Sequence, residues 1–94
     1  GGKGVISVSA NVIPRVMHDI CALYLSGKTD EARDLFLEYN PLNLALFTDV
    51  NPIPVKTALN HMGFAAGPLR LPLCEMSPAA EAALTETLRR YALI

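Results

Sequence analysis

Charge is scarce in this chain. Charged residues make up 18% of its 94 positions, and eight Lys and Arg nearly cancel nine Asp and Glu for a formal net charge of -1. That balance provides no basic stripe for a phosphate backbone or an anionic lipid surface, so neither nucleic acid nor a membrane is expected as a partner. Cysteine is just as thin: Cys21 and Cys74 stand alone. Two thiols so far apart make no metal-ligand cluster, and a secreted domain of this size carries more disulfides, so the expectation is reduced thiols in a cytoplasmic protein. Long apolar runs are missing too, because Asp19, Arg33 and Glu38 interrupt the best candidates before they reach the ~18 to 20 residues of a membrane span. The start has no basic stretch leading into an apolar one, so no signal peptide is expected. No internal repeat and no low-complexity linker divides the chain.

What the chain has in quantity is apolar surface. Hydrophobic residues account for 51% of the sequence, more than a small, surface-dominated domain needs for its own core. Part of that surface is therefore expected to face another region of a larger protein. Val5 to Val8 is a β-branched run bounded by Gly4 and by Ala10-Asn11, the pattern of a strand buried on both faces in a parallel sheet. The chain offers no second strand to pair with it.

Everything else is helical in pattern. Ile13 to Leu25 carries Ile13, Val16, Met17, Ile20, Leu23 and Tyr24 on one face, with Asn11 as N-cap, Pro14 in the first turn and Gly27 as the stop. Thr29 is expected to cap a second helix whose Asp30 and Glu31 suit the positive end of its dipole. Its apolar face runs Ala32, Leu35, Phe36, Tyr39, Leu42, Leu46, and Pro41 predicts either a kinked helix or two short ones meeting at Asn40. Asn51 is expected to cap a third helix to about Met62, ended by Gly63, with Pro52 and Pro54 in a turn that needs no backbone donors. Gly67 to Leu73 reads as an extended connector. Ser77 and Pro78 open a fourth helix to about Tyr91, with Ala80, Ala83, Leu84, Thr87 and Leu88 on its stripe.

Three segments, Gly1-Gly2-Lys3-Gly4-Val5-Ile6-Ser7-Val8, Asn51-Pro52-Ile53-Pro54-Val55-Lys56 and Leu69-Arg70-Leu71-Pro72-Leu73, in that order and spacing, resemble the last third of the dihydrodipicolinate synthase family of Schiff-base aldolases. The resemblance covers essentially the whole chain; Thr57 departs from it, standing where many members carry a bulky aromatic. It implies a mainly α piece of a larger fold: residues 1–27 as the last strand and helix of a (β/α)8 TIM barrel, and residues 28–94 as a C-terminal three-helix domain. A complete barrel needs about 250 residues, so a fragment is expected. For the intact enzyme the resemblance implies condensation of pyruvate, held as a lysine imine, with aspartate semialdehyde in lysine biosynthesis, without a cofactor and in a homo-oligomer. Relatives of the same fold cleave N-acetylneuraminate. A reading from another class is a stand-alone helical interaction or oligomerisation module, against which the Val5 to Val8 pattern argues.

An imine-forming lysine needs a lowered pKa, a dry pocket and a nearby acid or base. Lys3 precedes the strand, on the face of a barrel opposite the one that carries active sites; Lys28 lies in a turn and Lys56 in the first turn of a polar-faced helix. None is assigned catalysis, and in the resembled family the imine lysine and its proton-relaying tyrosine come from earlier strands. The resemblance places Ile6 at the position that contacts bound pyruvate, as an apolar pocket wall; read from the residues alone, Ile6 is a core position of the strand. The polar members of Asn51 to Lys56 read as a helix start, with Lys56 lying over apolar surface or pairing with an acid such as Asp49. His18 and His61 are too far apart in sequence for a metal pair, Cys21 and Cys74 have no histidine or helix start beside them to stabilise a thiolate, and Glu75, Glu81, Glu86, Arg89 and Arg90 read as a solvated helix face.

Overall fold

The computed structural model describes residues 1–94 as an arm, a short turn and four α-helices. Residues 1–7 have no regular secondary structure; a 3₁₀ turn, Ser9–Asn11, leads into α1 (Pro14–Leu25), followed by α2 (Thr29–Ala45), α3 (Ile53–His61) and α4 (Pro78–Arg90). The strand expected over Val5 to Val8 is absent. A strand is defined by its ladder, and this chain presents no neighbour to complete one, so the backbone groups of residues 1–6 stay unpaired, and Ser7 O accepts only from Ala10 N–H in the turn that follows.

Helix ends are set by backbone closure more than by the side chains expected to cap them. Asn11 does not cap α1, because Ile13 is the flanking residue; the Asn11 amide turns back instead and donates to the Val8 carbonyl at 3.0 Å. Thr29 does not cap α2 either. The link between α1 and α2 is so tight that Lys28 N–H closes α1 on Leu23 O at 2.9 Å while Lys28 O already accepts from Ala32 N–H at 3.0 Å. That places Thr29 inside the first turn. Asn51 is likewise displaced: the flanking residue of α3 is Pro52, whose carbonyl accepts from Lys56 N–H at 3.0 Å. Only Ser77 caps as read, its hydroxyl oxygen accepting from Ala80 N–H at 3.3 Å. Asn51-Pro52 and Leu71-Pro72 are cis.

Pro41 stands inside a continuous α2, which settles the two expectations for this helix in favour of one element. The C-terminal closures of α1, α3 and α4 share one geometry, whereas α2 ends at Leu46 without a left-handed residue. Gly27 and Gly63 take left-handed conformations (φ 85° and 87°), and Ala92 does the same at φ 52°, each followed by an N–H that reaches back to the third residue before the helix's flanking one.

The core sits where the end of α2, α3 and α4 meet. Leu42, Leu46, Ala58, Leu84 and Leu88 are fully enclosed, joined by Ile53, Val55 and Met76 and by Val12 and Ile13 from the turn before α1. Tyr91 from the chain end stacks on Tyr39 of α2, centroids 5.1 Å apart, and donates its hydroxyl to Glu38 O at 2.8 Å. By contrast α1 has no fully buried residue, and Tyr24, Leu25, Phe36 and Leu37 at the far end of the α1–α2 pair are exposed. The radius of gyration, 14.3 Å, exceeds the about 12 Å of a compact chain this long; the molecule is a rod of 43 × 25 × 21 Å.

Candidate functional site

Ile6 projects from the arm with its side chain wholly in solvent. What fixes its surroundings is the corner just after it. Val8 is half-buried against the core, Ser9 is buried, and the Val8 carbonyl accepts both the backbone N–H (3.1 Å) and the side-chain amide (3.0 Å) of Asn11. Ser9 O takes two further bonds, from Val12 and Ile13 N–H at 3.0 and 2.8 Å. The chain therefore leaves the helical body at one defined point, and beyond it Val5 is more than half exposed and Ile6 wholly so.

The three lysines are widely separated in role. Lys28 pairs across one helical turn with Glu31 at 3.5 Å, both side chains more than half exposed. Lys56 donates from Nζ to Pro68 O at 2.6 Å, so it is neither lying over apolar surface unpaired nor joined to Asp49. Asp49 Oδ1 instead accepts from its neighbour Val50 N–H at 2.7 Å. Lys3 borders an open groove of about 450 Å³ where the arm crosses α1 and α2, lined among others by Ile20, Cys21, Tyr24, Arg33 and Phe36. No residue pattern announces that meeting, since it depends on where an arm without secondary structure lies. Lys3 itself is exposed, and Arg33, which also lines the groove, is held by Asp30 and Asp34 at 3.0 and 3.1 Å.

No group of three or more His, Cys, Asp or Glu side chains gathers at metal-binding range, and Cys21 and Cys74 are both free thiols. His18 lies against its neighbour Asp19 at 2.9 Å. His61 Nε2 meets Glu81 Oε1 at 2.9 Å, tying the end of α3 to the first turn of α4, so Glu81 is a tertiary contact and not only part of a solvated face. Asn60 is the other residue that sequence reasoning passed over. It accepts from Ala66 N–H at 3.0 Å and donates to Gly67 O at 3.4 Å. The available signal was its position one turn after Lys56 on α3, which puts both on one helix face. No helix is long and apolar enough to cross a membrane.

Residues 1–91 match the model of the Dihydrodipicolinate synthetase family. The 4-hydroxy-tetrahydrodipicolinate synthase of Thermoanaerobacter sp. (strain X514) is 56% identical over all 94 residues, which span 32% of that protein. Among solved structures, the dihydrodipicolinate synthase from Thermotoga maritima superposes with a TM-score of 0.95 at 46% identity, over 100% of this chain and 32% of its own. The synthase from Acinetobacter baumannii complexed with pyruvate does so with a TM-score of 0.92 at 36% identity, again over 100% and 32%. The chain thus spans about a third of the length of the relatives it matches, and it belongs to the dihydrodipicolinate synthetase family.

Proposed function

We propose that this chain is the C-terminal part of a synthase that condenses pyruvate, held as a lysine imine, with aspartate semialdehyde, and that Ile6 forms an apolar wall of the pyruvate pocket. In this reading residues 1–27 contribute the last strand and helix of a (β/α)8 barrel, and residues 28–94 are a helical domain outside it. The observation that carries it is the match over the full chain to synthases, one of them complexed with pyruvate. The arm supports it physically: Val5 and Ile6 are exposed beyond a rigid corner, and a β-branched segment with free backbone groups is stable only when neighbouring strands pair with it. A small keto acid held as an imine benefits from a dry apolar contact beside it.

On this reading the 94 residues contribute binding surface without the reacting amine. Lys28 and Lys56 are engaged with Glu31 and Pro68 O, and Lys3 is in solvent. The exposed Leu44, Phe47 and Val50 suit contact with the remainder of the enzyme or with further subunits of a homo-oligomer, the partners this reading assigns. The test is incubation with pyruvate and borohydride followed by intact-mass measurement. The expected result is unchanged mass; a stoichiometric adduct on Lys3, Lys28 or Lys56 overturns the assignment of the reacting amine to another part of the enzyme.

A further inference from the structure

Fourteen residues, 64–77, join α3 to α4 without helix or strand. Their own backbone bonding is sparse. Ala66 N–H donates to Phe64 O at 2.9 Å and Leu73 N–H to Arg70 O at 3.0 Å, while Phe64 N–H belongs to the closure of α3. What holds the segment comes from elsewhere. Lys56 and Asn60, one turn apart on α3, seize the consecutive carbonyls of Pro68 and Gly67 at 2.6 and 3.4 Å, and Asn60 also accepts from Ala66 N–H at 3.0 Å. Beyond that pinned midpoint, Leu69, Leu73 and Met76 face the core, whereas Phe64 and Leu71 point outwards, Leu71 at 91% exposure. Gly63 and Gly67, both left-handed, bracket the first stretch with residues that tolerate a change of backbone direction.

We propose that residues 64–76 form a strap that opens as one unit while the four helices stay folded, and that Lys56 is its latch. Segments with few backbone bonds and a small buried area open at the low end of a protein's stability range. Here the bonds that oppose opening are concentrated on two side chains of a neighbouring helix, and the ammonium supplies the charge-assisted one, the stronger class of bond. When the strap lifts, Leu69, Leu73 and Met76 leave the core cluster they pack in or against. The helices keep the Leu42, Leu46, Leu84 and Leu88 cluster and the His61–Glu81 contact.

Trypsin reads this opening directly, because Arg70 is the only Lys or Arg between Lys56 and Arg89, and a protease needs several residues around its cut to be extended. Cleavage after Arg70 is expected to proceed with a shallower urea dependence than global unfolding, since little surface is exposed. Lys56→Met is expected to speed that cut by about five- to tenfold and to leave cleavage at Arg33 and Arg89 unchanged, with Lys56→Arg restoring much of the protection. Asn60→Ala, which removes neutral bonds only, gives a smaller increase and serves as the second variant if Lys56→Met fails to fold. Three results overturn the proposal: an Arg70 rate unaffected by either substitution, a parallel rise at all sites with a lowered unfolding midpoint, or a wild-type Arg70 cut as fast as in an unfolded peptide.

Discussion

The two ends of the rod are built to different standards. At one end α3, α4 and the close of α2 enclose Leu42, Leu46, Ala58, Leu84 and Leu88 and are cross-tied by Tyr91 to Glu38 O and by His61 to Glu81. At the other, α1 and α2 pack on each other, leave Tyr24, Leu25, Phe36 and Leu37 exposed, and carry an arm whose Val5 and Ile6 face largely into solvent. The sequences of the two ends are similarly apolar. What differs is that one end encloses a core of its own, even though Leu44, Phe47 and Val50 beside it are exposed as well, and the end without such a core is the one that the proposed function places against a barrel.

The sharpest way to break the comparison is to delete the same side chain at each end. Leu88→Ala, in the enclosed cluster, is expected to cost ~2 to 5 kcal/mol, whereas Leu25→Ala at the open end costs less than about 1 kcal/mol because little surface is removed from water there. Urea unfolding of the two variants checks this, and equal losses would mean that the α1–α2 tip is packed after all. A smaller effect is expected from Tyr91→Phe, about 1 kcal/mol for the lost hydroxyl bond to Glu38 O, with the stack on Tyr39 retained.

A gain is expected at the chain end. Ala92 occupies a left-handed position that glycine accepts without strain, so Ala92→Gly should raise stability by up to about 1 kcal/mol; a loss in thermal unfolding contradicts the closure described for α4. Smallest in stability is Phe36→Lys, within about 0.5 kcal/mol. Its readout is light scattering: the open end is expected to drive self-association of the wild-type chain, and a charge at Phe36 is expected to reduce it. A wild-type chain that stays monomeric at high concentration removes the case for an unsatisfied face.

The four helices were legible because apolar residues recur at helical spacing and because Gly27, Gly63 and Ser77 mark their ends by local chemistry. Asn11, Thr29 and Asn51 misled for a common reason. Each is a good capping residue, but the turn before α1, the link between α1 and α2 and the Pro52 turn are closed by backbone bonds one or two residues away, and propensity does not register that. The strand pattern at Val5 to Val8 is a statement about partners, which a single segment cannot supply. Lys56 was visible as part of a motif, but its acceptor, Pro68 O, lies twelve residues away across a turn without periodicity. Ile6 stands on resemblance, since nothing in the isolated arm distinguishes a pocket wall from a core residue.

The central claim, that these 94 residues are the C-terminal part of a pyruvate-dependent synthase and that Ile6 lines its pocket, is tested most directly by exchange. Replacing the matching third of the Thermoanaerobacter synthase with this chain should give an enzyme that still traps pyruvate with borohydride and still turns over. In that chimera Ile6→Asp, which sets a charge against a carboxylate-bearing ligand, should raise the KM for pyruvate by about tenfold. A folded chimera that traps no pyruvate would contradict the account, and unchanged pyruvate kinetics in a folded Ile6→Asp chimera would remove Ile6 from the site.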